Sequence, residues 1–347
     1  MTAGAGRIGR DVSVAIAAFN GAAYLPALLD SIVAQTLPPK EVVVADDAST
    51  DETIEVLERY RRASAVPFTI VRQARNVGII ENFLSAFRAT SGRLIAYCDQ
   101  DDVWLERKLE ACASAFDAPG VSLVCHASFI TDENLRETGE IFHQNARDFR
   151  VRFPGVFMRF DAWGHQLLFD RAALNVLFEL FECNVFRRSS LGLSFDFGIP
   201  FAASLVGDMC VKREPLIRFR RHASATTGAG RRPAARPRGL KARLASHAER
   251  LSHRKAALES AVEVLGECPP KEARAPGDSR RAYEDALALA SRRIRLAETP
   301  GVLRRLAQAP ELAWHAQLQN LAYRDLRFKD AVGDLMTLVC GAPTRQP

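Results

Sequence analysis

The chain reads as an α/β protein: a mostly parallel sheet covered by helices on both faces, followed by a C-terminal α-helical extension. Three observations lead there. Short apolar runs alternate with segments of helical spacing through the first third of the sequence, and that β-α-β-α order makes parallel sheets with helical crossovers. The runs are continuously apolar, as strands buried on both faces require. Polar clusters recur where the runs stop, at Asn20-Gly21, Asp46-Asp47, Arg75-Asn76 and Asp99 to Asp102. Sheets of this kind bind ligands beyond the carboxyl ends of their strands, so four polar loops on one edge mark a candidate site.

The first strand is VSVAIAA (Val12–Ala18), broken by Asn20-Gly21; Leu25, Leu28, Leu29, Ile32 and Val33 follow at helical spacing. EVVVA (Glu41–Ala45) is the second strand, and Asp51 in its loop is placed to cap a helix over ETIEVLERYRR. FTIVR (Phe68–Arg72) is the third strand, and Ile79, Ile80, Phe83, Leu84 and Phe87 mark the next helix. RLIAYC is the fourth strand and delivers three aspartates. WLERKLEACASAF then reads as a helix and VSLVCHA (Val121–Ala127) as a strand. TDENLRETGE reads as a turn between two short strands, whereas FHQNARDFRVRFPG has no clear period. HQLLFDRAALNVLFELF is a strand end running into a helix, SFDFGIPFAASLVG a helix with Asp196 near its N-terminus, and LIRFRRHASATTG a strand leading into a loop.

Beyond residue 230 the text changes. RRPAARPRG is a linker by its Pro and Arg content. Leu244, Leu251, Leu258 and Leu265 recur every seven residues, a seam for a helical hairpin or short coiled coil that Lys255 interrupts. RRAYEDALALASRRIRLAE and ELAWHAQLQNLAYRDLRFKDAVGDLMTLV read as further amphipathic helices. Charge divides at the same point: residues 1–230 carry 25 Lys/Arg against 28 Asp/Glu, a net −3, and residues 231–347 carry 22 against 13, a net +9. A basic region of this kind meets anionic lipid headgroups, a nucleic acid or a polyanionic substrate, or is a solvated helical appendage. No run of about 18 uncharged apolar residues predicts a membrane-spanning helix, and MTAGAGRIGRD lacks the apolar core of a secretory signal. The seven cysteines have no CxxC spacing, which predicts reduced thiols in the cytoplasm and no disulfide framework or structural zinc.

Three carboxylates within four residues repel one another, so the stretch YCDQDDVW asks for a positive partner. Side chains alternate along an extended chain, which puts Asp99 and Asp101 on one side. Asp102 then points away, or caps a helix beginning at Trp104. Mg²⁺ or Mn²⁺ binds one or two carboxylates together with substrate phosphates, and a strand-end edge with Asp46-Asp47 beside it suits a nucleotide diphosphate. Asp47 is placed to accept the imide N–H of uracil or thymine, Arg75 and Asn76 to line base or ribose, and Asp101 to hold the ion. With no GxxxxGK[ST] and no GxGxxG, neither a P-loop nor a dinucleotide fold is supported.

VSVAIAAFNGAAYLPALLDSIVAQT, EVVVADDASTDET, RNVGIIENF and CDQDDVWLERKLE, in this order and spacing, resemble the family 2 glycosyltransferases of the GT-A fold. The similarity covers about residues 11–230, and its nearest kind is the bacterial transferases for polysaccharide, O-antigen and capsule, rhamnosyltransferases included. The family usually has Pro where Ala17 stands and often Tyr where Phe19 stands, differences confined to the first base-binding loop. The resemblance implies a GT-A catalytic domain over residues 1–230, with a nucleotide-sugar part at 11–127 and an acceptor part at 128–230, ahead of a basic helical region at 231–347. It implies an inverting, metal-dependent transfer from a dTDP- or UDP-sugar. By position, Ala18, Phe19, Asn20, Asp47, Arg75, Asn76, Asp99, Gln100 and Arg220 are similar to the nucleotide-sugar contacts, Asp101 and His222 to the metal ligands, and Asp196 to the general base. At most one of Arg220 and Arg221 should face the site, since they alternate along a strand. Trp163, Gly164 and His165 either shape a sugar pocket or pack in the core.

The implied partners are a nucleotide-diphosphate sugar donor and a glycan or lipid-linked acceptor, with no nucleic acid. The C-terminal helices, with Trp314, Tyr323 and Phe328 interleaved among basic residues, fit a peripheral contact with an anionic inner membrane, a homodimer, or packing on the catalytic domain. Two other functions compete. A Mg²⁺-dependent nucleotidyltransferase acting on sugar phosphates needs an early basic phosphate-gripping loop, which AAFNGAAYL lacks. A catalytically inactive scaffold needs no intact Asp99, Asp101 and Asp196. Donor sugar, acceptor and linkage are not written in these motifs.

Overall fold

The molecule is described here from a computed structural model, which covers residues 11–143, 145, 147–151, 163–222, 240–273 and 276–298. Its centre is a ten-stranded sheet. The apolar runs of the first third form β1 (Val12–Ala18), β2 (Glu41–Asp46), β3 (Phe68–Arg72) and β4 (Leu94–Asp99), with α1 (Leu25–Val33), α2 (Thr53–Ala63) and α3 (Ile79–Ala89) between them. Strand β1 pairs in parallel with both β2 and β4, and β2 with β3. Pro26 in the first turn of α1 suits a helix start, and Leu25, Leu28, Leu29 and Ile32 form its buried stripe. Asp51 stands one position ahead of the cap of α2, yet its Oδ1 accepts the Thr53 N–H at 3.1 Å.

The second half of the sheet runs both ways. After β5 (Val103–Trp104) and α4 (Lys108–Ala113) come β6 (Val121–Thr131), β7 (Glu137–Phe142), β8 (Phe149–Val151), β9 (Leu167–Asp170), α5 (Arg171–Glu182), α6 (Asn184–Arg188), α7 (Phe195–Ser204) and β10 (Asp208–Arg220). The order across the sheet is β3-β2-β1-β4-β9-β6-β10-β5. Strand β9 lies antiparallel between β4 and β6, and β6 runs parallel to β10. The sheet is therefore parallel in its first half and mixed in its second. The hairpin read in TDENLRETGE joins β6 to β7.

The helix expected from Trp104 starts at Lys108 instead. Val103 and Trp104 pair with Arg218 and Ile217 of β10, which buries Trp104 and keeps Asp102 from capping a helix. Alternation along the strands feeds two core layers. Ala15, Val43, Ile95 and Tyr97 face α3, α5, α6 and α7 on one side, and Val14, Val42, Leu94 and Ala96 face α1, α2 and α4 on the other.

The C-terminal helices α8 (Leu240–Glu267) and α9 (Pro276–Glu298) form a hairpin. Ala257, Leu258, Ala261, Val264 and Leu265 of α8, with Tyr283, Ala286 and Ala290 of α9, bury into the same layer as α5 to α7. The Tyr283 hydroxyl lies 2.8 Å from Ser204 Oγ. Of the leucine seam, Leu258 and Leu265 are buried here; the side chains of Leu244 and Leu251 are outside the described set, as are the linker at 231–239 and the segment bearing Trp314, Tyr323 and Phe328.

The expectation of uniformly reduced thiols is corrected. Docking of the hairpin brings Cys268 to Cys183, 6.2 Å apart at Cα, and the two are disulfide-bonded. Cys98, Cys112, Cys125 and Cys210 are free. Among the described residues no helix is long and apolar enough to cross a membrane.

Candidate functional site

The carboxyl ends of β1, β2 and β4 open onto a cleft of about 600 Å³. One side of its lining includes Ala18, Phe19, Asp47, Asn76, Gly78 and Gln100. Asp47 is buried, and its carboxylate takes two backbone donors: the Val77 N–H at 2.6 Å and the Gly78 N–H at 2.9 Å. Gly78 adopts φ +85°, a left-handed conformation glycine enters without a Cβ penalty. Asp47 thus shapes the loop that walls this side. The Gln100 side chain braces the first loop, accepting from the Phe19 N–H at 2.9 Å and donating to the Phe19 carbonyl at 3.1 Å. Asn20 is turned to its neighbours, with its N–H on Ser49 Oγ and its Oδ1 accepting from the Thr50 N–H, both 2.9 Å. Arg75 is exposed and outside the lining.

At the end of β4, Asp99 and Asp101 both line the cleft. Asp102 is buried behind it, and its Oδ1 accepts the Arg220 N–H at 3.1 Å. Burial together with the negative charges of Asp101 and Asp196 pushes the Asp99 carboxyl up to about 8; its side chain keeps 31% exposure toward the cleft, so solvent or a cation there offsets part of that rise. Asp102 is pushed up by burial and by the negative charges of Asp101 and Asp99. Tyr97 hydrogen-bonds Asp99 from a buried position, its ring stacked on Phe83 at 4.1 Å.

The second wall comes from the 3₁₀ turn Gly164–Gln166, the start of α7 and the end of β10. Ser194 caps α7 by accepting the Asp196 N–H at 3.2 Å, which presents Asp196 on the first turn. Asp196 Oδ1 accepts the Gly164 N–H at 2.6 Å, and burial raises its carboxyl above the ordinary range. A Cβ on Gly164 would meet the Tyr97 ring at 2.7 Å, so the turn seats directly on β4. Trp163, His165 and Phe219 supply an aromatic surface, His165 stacking on Phe219 at 4.5 Å.

Arg220 lines the cleft at this end, and His222 stands beside Asp101. Arg220 is 7% exposed; its guanidinium sits 5.1 Å from the centre of the Tyr24 ring, and its Nε and Nη2 have no hydrogen-bond partner among the described residues. Arg221 does not line the cleft. His222 Nε2 lies 2.7 Å from Asp101 Oδ2, and its Nδ1 lies 3.1 Å from the Tyr24 hydroxyl.

A carboxylate and an imidazole on one rim are a donor set that suits a divalent ion such as Mn²⁺. Asp99, Asp102 and His165 form another grouping, one ligand atom from each within 4.8 Å of the others. That grouping already faces the charge of a buried lysine, Lys108.

Sequence reasoning did not single out Tyr24, Tyr97 or Lys108. Tyr97 carries the one hydroxyl in an otherwise apolar run, a signal that was there to find. Lys108 reads as one more solvated charge in WLERKLE, and nothing local distinguishes it.

Comparison with known proteins agrees with this architecture. The model of glycosyl transferase family 2 matches residues 13–192. An uncharacterized glycosyltransferase of Nostoc sp. is 34% identical over 123 residues, covering 35% of this chain and 38% of the relative. A putative teichuronic acid biosynthesis glycosyltransferase of Bacillus subtilis is 31% identical over 144 residues, 39% of this chain and 56% of the relative. The crystal structure of S. aureus TarS 1-349 in complex with UDP superposes with a TM-score of 0.51 at 16% identity, covering 93% of this chain and 92% of that one. With the fold, the order of its motifs and more than half of the sequence in agreement, the chain belongs to glycosyl transferase family 2 and has its GT-A fold.

Proposed function

We propose that this chain transfers a sugar, with inversion and with help from a divalent metal, from a UDP- or dTDP-sugar to a glycan or lipid-linked acceptor in bacterial cell-surface polysaccharide synthesis. The observation that carries the reading is Arg220: a cation 7% exposed, lining the cleft beside Asp101, with two guanidinium nitrogens unpartnered among the described residues. A buried cation left without partners is costly, and a diphosphate in the cleft supplies them. The relative's role in teichuronic acid synthesis and the UDP held by TarS point the same way.

In this reading Asp196 is the base. Gly164 fixes its Oδ1, which leaves Oδ2 to take the proton of the acceptor hydroxyl as that oxygen bonds to the anomeric carbon. The bond from the anomeric carbon to the diphosphate breaks on the opposite face, and Arg220 stabilises the charge that leaves. Asp101 and His222 would hold the metal ion, which when bound supplies further positive charge to the diphosphate. Asp99 takes the ribose side. Ala18, Phe19, Asp47, Asn76 and Gln100 form the base-side wall, and Asn20 and Arg75 shape its loops. The enzyme would act in the cytoplasm, with basic residues 231–347 as a contact to the inner face of the membrane.

Nucleotide release from UDP-hexoses, UDP-galactofuranose and dTDP-rhamnose in the presence of Mn²⁺ tests the reading. One of these donors is turned over by the wild type, and Asp101→Ala abolishes the metal-dependent part. Turnover unchanged in Asp101→Ala would refute the metal role. Co-sedimentation of the full chain with anionic and with neutral liposomes tests the membrane contact, and equal binding to both counts against it.

A further inference from the structure

Lys108 is a second buried cation near the cleft, and the chemistry above does not use it. It opens α4 with a side chain that is 0% exposed. A lysine ammonium is costly to bury and persists only where its surroundings compensate. Nζ lies 3.8 Å from the centre of the Trp104 ring, a cation–π contact. It donates to the His165 carbonyl at 3.1 Å, the one hydrogen bond it makes among the described residues. Its charge faces Asp102, whose Oδ2 is buried without a hydrogen-bond partner among the described residues, and Asp99.

His165 lies in the turn whose Gly164 N–H holds Asp196 Oδ1. Gly164 is pressed against Tyr97, so the turn has no slack toward the sheet. A line of contacts runs from Trp104, two residues past the acidic motif, through Lys108 to the turn, and from the turn to Asp196.

We propose that Lys108 is a positioning residue that ties the back of the acidic motif to the turn holding Asp196, so that the diphosphate-binding wall and the base wall keep a fixed spacing. The inference rests on Asp196 being the base, as assigned above. Spacing matters because a misplacement of about 1 Å between reacting groups can cost about 10²-fold in rate. A lesser role would be a counter-charge for Asp102 alone, and the two roles separate by experiment.

The first experiment needs no substrate. Thermal unfolding is measured for the wild type, Lys108→Met, Asp196→Ala and the double variant. Residues that share a structural link give non-additive penalties. The Tm loss caused by Asp196→Ala therefore shrinks to less than half in the Lys108→Met background, and additive losses overturn the tie. If Lys108→Met does not fold, Lys108→Met/Asp102→Asn serves as the background, since it also removes the buried acid that Lys108 helps to compensate.

The second experiment uses UDP with Mn²⁺ as the binding probe and nucleotide release as turnover. Lys108→Met/Asp102→Asn binds the probe within about threefold of the wild type, while kcat falls about 30-fold or more. Lys108→Gln/Asp102→Asn, which restores a donor to the His165 carbonyl without charge, recovers kcat about tenfold. Wild-type kcat in Lys108→Met/Asp102→Asn would reduce Lys108 to a counter-charge and overturn the proposal. Failure of the base assignment reads differently: Asp196→Ala then keeps its kcat, whatever the unfolding cycle shows.

Discussion

The two walls of the cleft treat negative charge in opposite ways. At the end of β4 three carboxylates crowd into four residues, and Asp99 is driven up to about 8 by burial and by its neighbours. On the start of α7 a single carboxylate, Asp196, faces them with charge enough to raise Asp99, and is itself raised by burial and pinned by one backbone N–H. In the proposed reading, the crowded carboxylates attract a cation and the lone, partly buried one takes a proton. In that reading the β4 wall is completed by a metal ion and a donor diphosphate. The α7 wall is complete as it stands.

The largest effect should come from the crowded wall. Asp101→Ala removes the carboxylate paired with His222 and should lower Mn²⁺-dependent turnover by about 10³-fold; a variant that keeps its turnover would show that this wall holds no metal. Asp196→Asn should cut kcat by about 10²- to 10³-fold while leaving UDP affinity unchanged. A parallel loss of UDP affinity would mean that the walls do not act separately. Arg220→Met should weaken UDP binding about 10- to 100-fold, the worth of a charge-assisted hydrogen bond. The same substitution should leave the ligand-free Tm unchanged or higher, because it removes a buried charge with two nitrogens that lack hydrogen-bond partners among the described residues. A lowered Tm with intact UDP affinity would make Arg220 structural.

Titration sharpens the contrast further. The Asp99 carboxyl rises on folding from 3.8 to about 8, so the folded state holds a proton that the unfolded chain has lost. Its contribution to stability is fully present below about pH 4 and is lost as pH rises through about 8. Ligand-free Tm should carry that decline, and the Tm gain from Mn²⁺ held at Asp101 should grow across the same window, since a cation beside Asp99 favours its ionised form. A Mn²⁺ shift that is flat between pH 6 and 9 would contradict it. The smallest effect on turnover should come from reducing Cys183–Cys268. A loop of 85 residues gives about 4–5 kcal/mol by chain entropy, so Tm should fall by about 5–10 °C with kcat unchanged, the hairpin staying docked through Tyr283. Loss of activity on reduction would show that the hairpin shapes the cleft.

Legibility in the sequence followed the same division. Strands β1 to β4 are continuous apolar runs paired in parallel, and the site residues at their tips, Asp47, Asn76, Asp99 and Asp101, sit within local motifs. The second half is built from pairings between distant segments: β9 enters beside β4, with Leu94 opposite Asp170, and Val103-Trp104 joins β10 rather than opening a helix. No local periodicity encodes such partners. Asp196 and Arg220 were singled out by the family resemblance and both line the cleft, but the Gly164 grip on Asp196, the burial of Lys108 and the Cys183–Cys268 link depend on tertiary contacts between residues 32 to 85 positions apart. Asp47 shows the limit from the other side. Its position at the cleft was readable, but not that its carboxylate is occupied by the Val77 and Gly78 amides.

The most direct measurement is calorimetric titration of UDP into the wild type and into Asp101→Ala, each with and without Mn²⁺. The account predicts binding by the wild type that strengthens at least about tenfold with the ion, and no such gain in Asp101→Ala. Equal affinity for UDP in all four titrations would contradict it.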